Sequence, residues 1–272
     1  MPGQPSGAAG SPVRVVSWNV HGWRDDPTAV RRGLRALRPD VVCLQEVYRG
    51  PGPWPWGTGT RHGLARLASD CGLEFVAGGL RAGGNAVLVG GRVRVRRRRA
   101  LRLATPLFGP GPVWPAIGGR QVPAPRIGEG RGVVLVELGE PGRLLVACTH
   151  LDLEPDLRLQ QAQEVVRLLR AWGAGSTGTG TPDQPPVPAL VAADLNELPG
   201  GPAWAALGEL LADPDPSGAE TYSAQDPHQR IDAVLVGGPA RVTGYRVGGI
   251  DPGDARRASD HLPVVAELEL PG

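Results

Sequence analysis

The sequence predicts an α/β fold carried by one domain, and three observations predict it. The chain opens with a strand-like run (Val13–Trp18), a helical stripe (Val30, Leu34, Leu37) and a second apolar run (Val41–Leu44). Strand-like runs and helical stripes then alternate down to Leu270. Polar clusters close these runs from one end of the chain to the other, and no shift in composition parts two units. We therefore expect a flexible tail over 1–12 and a single domain over 13–272.

Each element has its own reason. Asp26-Pro27 offers a helix cap followed by proline at the first helical position, and Arg38-Pro39 ends that helix. Val41–Leu44 is short and wholly apolar, as a buried strand should be, and delivers Gln45 and Glu46 to its end. Pro51–Gly63 is a loop rich in proline and glycine that carries Trp54 and Trp56. Leu64, Leu67, Ala68 and Cys71 form a second helical stripe, closed by Gly72. Strands follow at Leu73–Ala77, Asn85–Val89 and from Val93 onward. Thr105–Gly130 is a long Pro/Gly-rich connection. Gly132–Leu138 and Arg143–Thr149 form a hairpin turned at Glu140-Pro141-Gly142. A helix over Asp156–Trp172 precedes a Gly/Thr/Pro tract (Gly173–Pro188) with little to bury. Ala189–Ala193 is a buried strand, and Trp204, Leu207 and Leu211 mark a short helix. Arg230–Val236, Arg241–Val247 and Val264–Leu270 finish as strands.

Composition limits the function. At 272 residues and 41% hydrophobic, the chain can bury a large core, and a net charge of +2 does not by itself make it a polyanion binder. Basic character is local: Arg92, Arg94 and Arg96–Arg99 crowd into one segment, which reads either as a phosphate track or as a charged edge strand. Arg120, Arg126 and Arg131 add charge near the long connection. Cys43, Cys71 and Cys148 cannot all pair within one chain, and Cys43 and Cys148 sit in apolar runs as small core residues. The expectation is a reducing setting and a cytoplasmic protein, since no run approaches the roughly 18–20 apolar residues of a membrane span. The first residues also lack the apolar stretch of a secretory signal.

Six polar clusters stand at the ends of strand-like runs: Asn19-Val20-His21-Gly22, Gln45-Glu46, Thr149-His150-Leu151-Asp152, Asp194-Leu195-Asn196, Arg230-Ile231-Asp232 and Ser259-Asp260-His261. Each has a plain structural reading alone. The first could be a turn, Asp194-Leu195-Asn196 a helix cap, and Asp232 the partner of Arg230. Six together point to one site, because a buried amide or carboxylate costs free energy unless it is paired or holds a metal. Oxygen donors without cysteine suit Mg²⁺, Mn²⁺ or Ca²⁺ better than zinc. A hard cation with carboxylates and two histidines suits hydrolysis of a phosphate ester.

The ordered motifs W-N-V-H-G, L-Q-E-V, G-N-A-V-L (Gly84–Leu88), T-H-L-D, R-x-x-Q-A (Arg158, Gln161, Ala162), A-D-L-N, R-I-D-A-V-L and S-D-H-L-P span Val15 to about Leu268. In this the chain resembles the endonuclease/exonuclease/phosphatase superfamily, with its deoxyribonuclease-I-like fold. The resemblance implies a four-layer sandwich of two mixed β-sheets flanked by helices, with the site at one rim. It implies Glu46 as principal metal ligand, with Asn19 and Asp260 on the metal side. Asp194 would position or deprotonate the attacking water, and Asn196 would hold the phosphate. His261, fixed by Asp232, would stabilise the charged transition state, and His150 would contact a phosphate oxygen or the leaving group. The family's usual glycine before the Asp-x-Asn triplet is Ala193 here. His21 stands where the abasic-site repair branch carries an acid or amide, which argues against a repair endonuclease.

The implied activity is a metal-dependent phosphodiesterase or nuclease, with Mg²⁺ as cofactor and a phosphoester, nucleic acid included, as partner. The alternative is a phosphatase of small phosphoesters or lipid or inositol headgroups. A binding protein that has lost the chemistry is a third reading, and intact Glu46, Asp194, Asp232, Asp260 and His261 speak against it. A monomer is expected.

Overall fold

Strands that are apolar on both faces need cover on both sides, and the fold supplies it. The computed structural model describes residues 12–47, 60–104, 130–175, 187–215 and 217–271. The tail over 1–11, Trp54 and Trp56, Arg120 and Arg126, and most of the tract over 173–188 lie outside the described residues. In chain order the elements are β1 (Val13–Asn19), α1 (Pro27–Leu37), β2 (Val41–Gln45), α2 (Arg61–Asp70), β3 (Leu73–Gly79), β4 (Asn85–Gly90), β5 (Arg94–Arg102), β6 (Gly132–Glu140), β7 (Leu144–His150), α3 (Pro155–Gly175), β8 (Ala189–Asp194), α4 (Pro202–Gly208), β9 (Asp232–Gly237), β10 (Arg241–Val247), α5 (Pro252–Ala258) and β11 (Val264–Glu269).

Two mixed sheets result. One has six strands in the order β10-β11-β1-β2-β4-β3, the other five in the order β5-β6-β7-β8-β9. Between them lies a core in which Val15, Val41, Cys43 and Val87 of one sheet join Val134, Val146, Cys148 and Leu190 of the other. The opposite face of the six-stranded sheet (Val16, Trp18, Leu44, Leu88) packs on Val30 and Leu34 of α1, Leu64 of α2 and Ala258 of α5. The outer face of the five-stranded sheet (Val133, Leu135, Val191, Leu235) packs on Val165 and Leu169 of α3 and Leu207 of α4. Three buried interfaces make four layers, helices–sheet–sheet–helices, as the resemblance implies.

Local chemistry sets the helix ends. The Asp26 side chain accepts from Thr28 N, and Arg38 closes α1 in a left-handed conformation (φ 46°). The cap before α4 comes from Glu197, whose Oε2 accepts from Ala203 N at 2.7 Å and Trp204 N at 3.2 Å, which leaves Asp194 and Asn196 for other work. Arg230 pairs with Asp213 and Asp215, so Asp232 is not its partner.

One amide stitches the sheets at the rim. Asn85, fully buried, donates to Ala82 O at 2.7 Å and across to Gly132 O at 2.9 Å. Replacing it with leucine removes both bonds and should cost about 1–3 kcal/mol in urea denaturation. A variant as stable as the wild type would show that the stitch contributes nothing net.

Candidate active site

Strand direction explains why distant polar clusters meet. β1 and β2 run parallel, joined through α1, so Asn19 and Gln45 end side by side with Glu46 next in the chain. β7 and β8 run parallel, joined through α3, so His150 ends beside Asp194. β9 and β11 run antiparallel to β8 and β1, so their beginnings reach the same rim, bringing Asp232 opposite Asp194 and residues 259–261 beside β1. The sheets face each other with β1 over β8 and β2 over β7, which closes the cluster.

Asp194 sits at its centre. Asn19 Nδ2 donates to Asp194 Oδ2 at 2.9 Å and to Glu46 Oε1 at 3.3 Å. Asn196 N donates to Asp194 Oδ1 at 3.0 Å. His150 Nε2 lies 3.3 Å and His261 Nε2 3.8 Å from Asp194 Oδ2. His261 Nδ1 is 2.8 Å from Asp232 Oδ2, a bond that fixes the ring and aims Nε2 at Asp194. Asn196 Nδ2 is held by Leu151 O at 2.9 Å and faces His150 Nε2 at 2.8 Å. Nε2 of His150 thus lies between the Asn196 amide and the Asp194 carboxylate, while Nδ1 lies 3.9 Å from Glu46 Oε1. Asp260 is the outlying member: its carboxylate lies 3.9 Å from His261 Nε2 and 3.6 Å from His21 Nε2.

Asp232 Oδ1 is buried without a hydrogen-bond partner, and Asp194, Asp232 and Asp260 meet histidine, amide and hydroxyl groups but no arginine among the described residues. A buried acidic nook of this kind suits a hard cation. Asp194, Asp232 and His261 offer ligand atoms within 4.8 Å of one another, which differs from the expected set of Asn19, Glu46 and Asp260. The Asp232–His261 bond occupies Asp232 Oδ2 and His261 Nδ1 and leaves Asp232 Oδ1 open. Glu46, whose carboxylate is 15% exposed, and Asp260, at 29%, lie on the more open side of the cluster.

Electrostatics separate an acid from a base. Burial, and next the charge of Asp232, push the Asp194 carboxyl up to about 6 despite His261, Asn19 and Asn196. Burial alone would lower His261, but the charges of Asp232 and Asp194, the Asp232 hydrogen bond and Asp260 outweigh it and raise the imidazole to about 10.

Several supporting residues carried no role in the sequence reading. Ser259 Oγ donates to Asn19 O at 2.7 Å and accepts from His261 N at 3.1 Å, pegging the last loop to β1. Trp18 Nε1 donates to His261 O, and Trp23 Nε1 to Val47 O. Tyr222 packs against His261 with ring centroids 4.9 Å apart and the planes tilted by 53°. Gln161 braces the loop after β7 by accepting from Asp152 N, and Arg158 ties the same loop to Glu197. Ala193 is fully buried against the α3/α4 layer and its φ is not positive, so the position asks nothing that glycine alone can give.

The endonuclease/exonuclease/phosphatase family profile matches residues 16–261. No curated protein matches the sequence significantly. Among solved structures, an endonuclease/exonuclease/phosphatase from Beutenbergia cavernae is 25% identical, with 96% of this chain and 72% of that one covered and a TM-score of 0.65. ANGEL2, a 2′,3′-cyclic phosphatase seen with adenosine-2′,3′-vanadate, is 13% identical over 96% of both chains, with a TM-score of 0.69. A mannosyl-6-phosphatase from Bacteroides thetaiotaomicron is 17% identical over 94% of this chain and 99% of that one, with a TM-score of 0.67.

A histidine raised in the folded state stabilises it fully below the ordinary value of 6.5, and that contribution is lost as pH rises through about 10. Asp232→Asn removes the leading charge that raises it. NMR titration of the ring should then give a lower His261 pKa, and the fall in thermal stability above pH 6.5 should be smaller and end at lower pH than in the wild type. An unmoved titration would show that Asp232 does not control the ring.

Proposed function

The chain belongs to the endonuclease/exonuclease/phosphatase family, and within it we propose a divalent-metal-dependent phosphoester hydrolase that acts by in-line attack of water. The observation that carries the reading is the Asp194 carboxylate, buried at the centre of the site and held near pKa 6 between two histidines and two asparagine donors. A base with that value is largely ionised at neutral pH yet still takes a proton from a nearby water. Asp194 therefore orients the water and accepts its proton.

His261 does the complementary work. Kept protonated by Asp232 and Asp194, it offers Nε2–H to a non-bridging phosphate oxygen as charge builds there. Asn196 donates its amide to the phosphate once substrate displaces its contact with His150, and His150 then turns to the leaving oxygen. Asn19 holds Glu46 and Asp194 in mutual register. Glu46 and Asp260 would hold Mg²⁺ or Mn²⁺, which supplies Lewis-acid neutralisation of the phosphate.

A phosphodiester is the first substrate class we propose, with nucleic acid foremost. A phosphomonoester of a sugar or a lipid or inositol headgroup is the second reading, favoured by the likeness to the mannosyl-6-phosphatase. Hydrolysis of bis-p-nitrophenyl against mono-p-nitrophenyl phosphate with Mn²⁺ separates the two.

Activity should follow a bell in pH, rising as Asp194 ionises and falling as His261 loses its proton. Asp194→Ala and His261→Ala should each lower kcat by about 10²–10⁴, and chelator should abolish turnover of the wild type. Wild-type rates in both variants would place the chemistry elsewhere.

A further inference from the structure

Outside the active site, the largest uncommitted feature is the outer edge of the five-stranded sheet. β5 is the terminal strand there, and Arg94, Arg96, Arg98, Arg99 and Arg102 on it are all exposed. Arg94 faces Glu140 at 3.9 Å. The side chains of Arg96, Arg98, Arg99 and Arg102 have no hydrogen bond or ion pair among the described residues. Arg97 differs: it is half-buried, bonds Glu137 at 3.0 Å and lies over the Trp172 ring at 4.3 Å, so it serves the fold.

Edge protection alone does not account for the row. Register shifts between Arg94 and Arg97 already spoil the strand for pairing, and one or two charges would complete the defence. Adjacent unpaired arginines repel one another, a cost that an anionic partner would offset.

The row also leads somewhere. Arg102 pairs with Gly132, and Gly132 O accepts from Thr149 Oγ1, the residue before His150. Two strand spacings, roughly 10 Å, separate Arg102 from the catalytic rim, and the row itself runs roughly 27 Å. Exposed Arg81, on the 3-10 turn Leu80–Ala82 that packs against β5, continues the charge at that end.

We infer that the β5 edge binds the phosphate backbone of a single-stranded nucleic acid and leads it to the active site. The inference rests on the phosphodiesterase reading for the chemistry, but not for the binding. A flexible single strand can follow the bulged edge and meet arginines that project from either side of it, whereas a stiff duplex would meet that edge at few points. A lipid surface fits less well. Val95 and Ala100 pack into the core between the sheets and Leu101 against the α3 layer, which leaves this strand no apolar side chain for acyl chains.

The test uses the full chain and the triple variant Arg96→Gln, Arg98→Gln, Arg99→Gln, whose fold is checked by thermal melting. Binding of a fluorescein-labelled oligothymidylate is followed by anisotropy in chelator over a range of salt. Losing three phosphate contacts should weaken binding about ten-fold or more and reduce the slope of log K against log salt by about 2. With Mn²⁺, kcat/KM for the oligonucleotide should fall, while turnover of bis-p-nitrophenyl phosphate stays at the wild-type rate. Equal affinities and equal slopes overturn the inference. So does sedimentation with phosphatidylserine vesicles that is lost in the variant while oligonucleotide binding is unchanged, since the edge would then serve a membrane. If the variant loses oligonucleotide binding but the wild type cleaves neither substrate, the edge stands and the phosphodiesterase reading falls.

Discussion

The hydrogen bond from Asn19 to Asp194 joins the end of a strand in one sheet to the end of a strand in the other. Elsewhere the sheets meet mainly through valine, leucine and cysteine, whose apolar contact has no direction and tolerates sliding. A carboxylate that is 1% exposed does not tolerate it, because an unpartnered charge at that depth costs several kcal/mol. Its partners must therefore arrive in register. Fixing Asp194 fixes the distances to His150 and His261, and through Asn19 also the position of Glu46. The site is thus the point at which the relative placement of the two sheets is decided.

How far the sequence showed this depends on how local each feature is. Asp26-Pro27 and Gly72 mark helix boundaries through the conformation of one or two residues, and the structure has boundaries there. Asn19, Glu46, His150, Asp194, Asp232 and His261 were legible as polar groups after or before apolar runs, which is a property of neighbouring residues. Their gathering into one site was read from the set as a whole and from the family resemblance, but not the pairings that achieve it, because sheet order follows from partners hundreds of residues apart, such as β1 with β11. Asp251-Pro252 carries the same cap and proline as α1, but α5 buries only Ala255 and Ala258, too few positions to show a period. Tyr222 lies in an irregular segment with no periodicity at all, so only contact with His261 gives it meaning.

Backbone conformation adds a constraint of its own. Among the described residues, the non-glycine positions with positive φ are His21, Trp23, Arg38, Glu46 and Asn196. Arg38 merely ends a helix, whereas the other four follow β1, β2 and β8 at the rim. Each left-handed turn costs of order 1–3 kcal/mol, and the indole bonds of Trp18 and Trp23 and the Ser259 peg help to hold the loops against it. Rigid strands bring the chain to the rim, and these reversals then turn Glu46 and Asn196 inward.

A folded-back segment around Tyr222 holds the stretch of chain that carries His261. Its backbone folds back on itself through Tyr222 and Gln229, accepts from Leu262 N at Thr221 O, and donates from Ala224 N to Asp260 O. It thereby grips the chain on both sides of His261 while its exposed tip, with His228, faces solvent. The tip and the His261 ring therefore share one hydrogen-bonded frame. Moving the segment means breaking the backbone bonds on either side of His261, so the place of that ring is set from outside the two sheets as well as from within them.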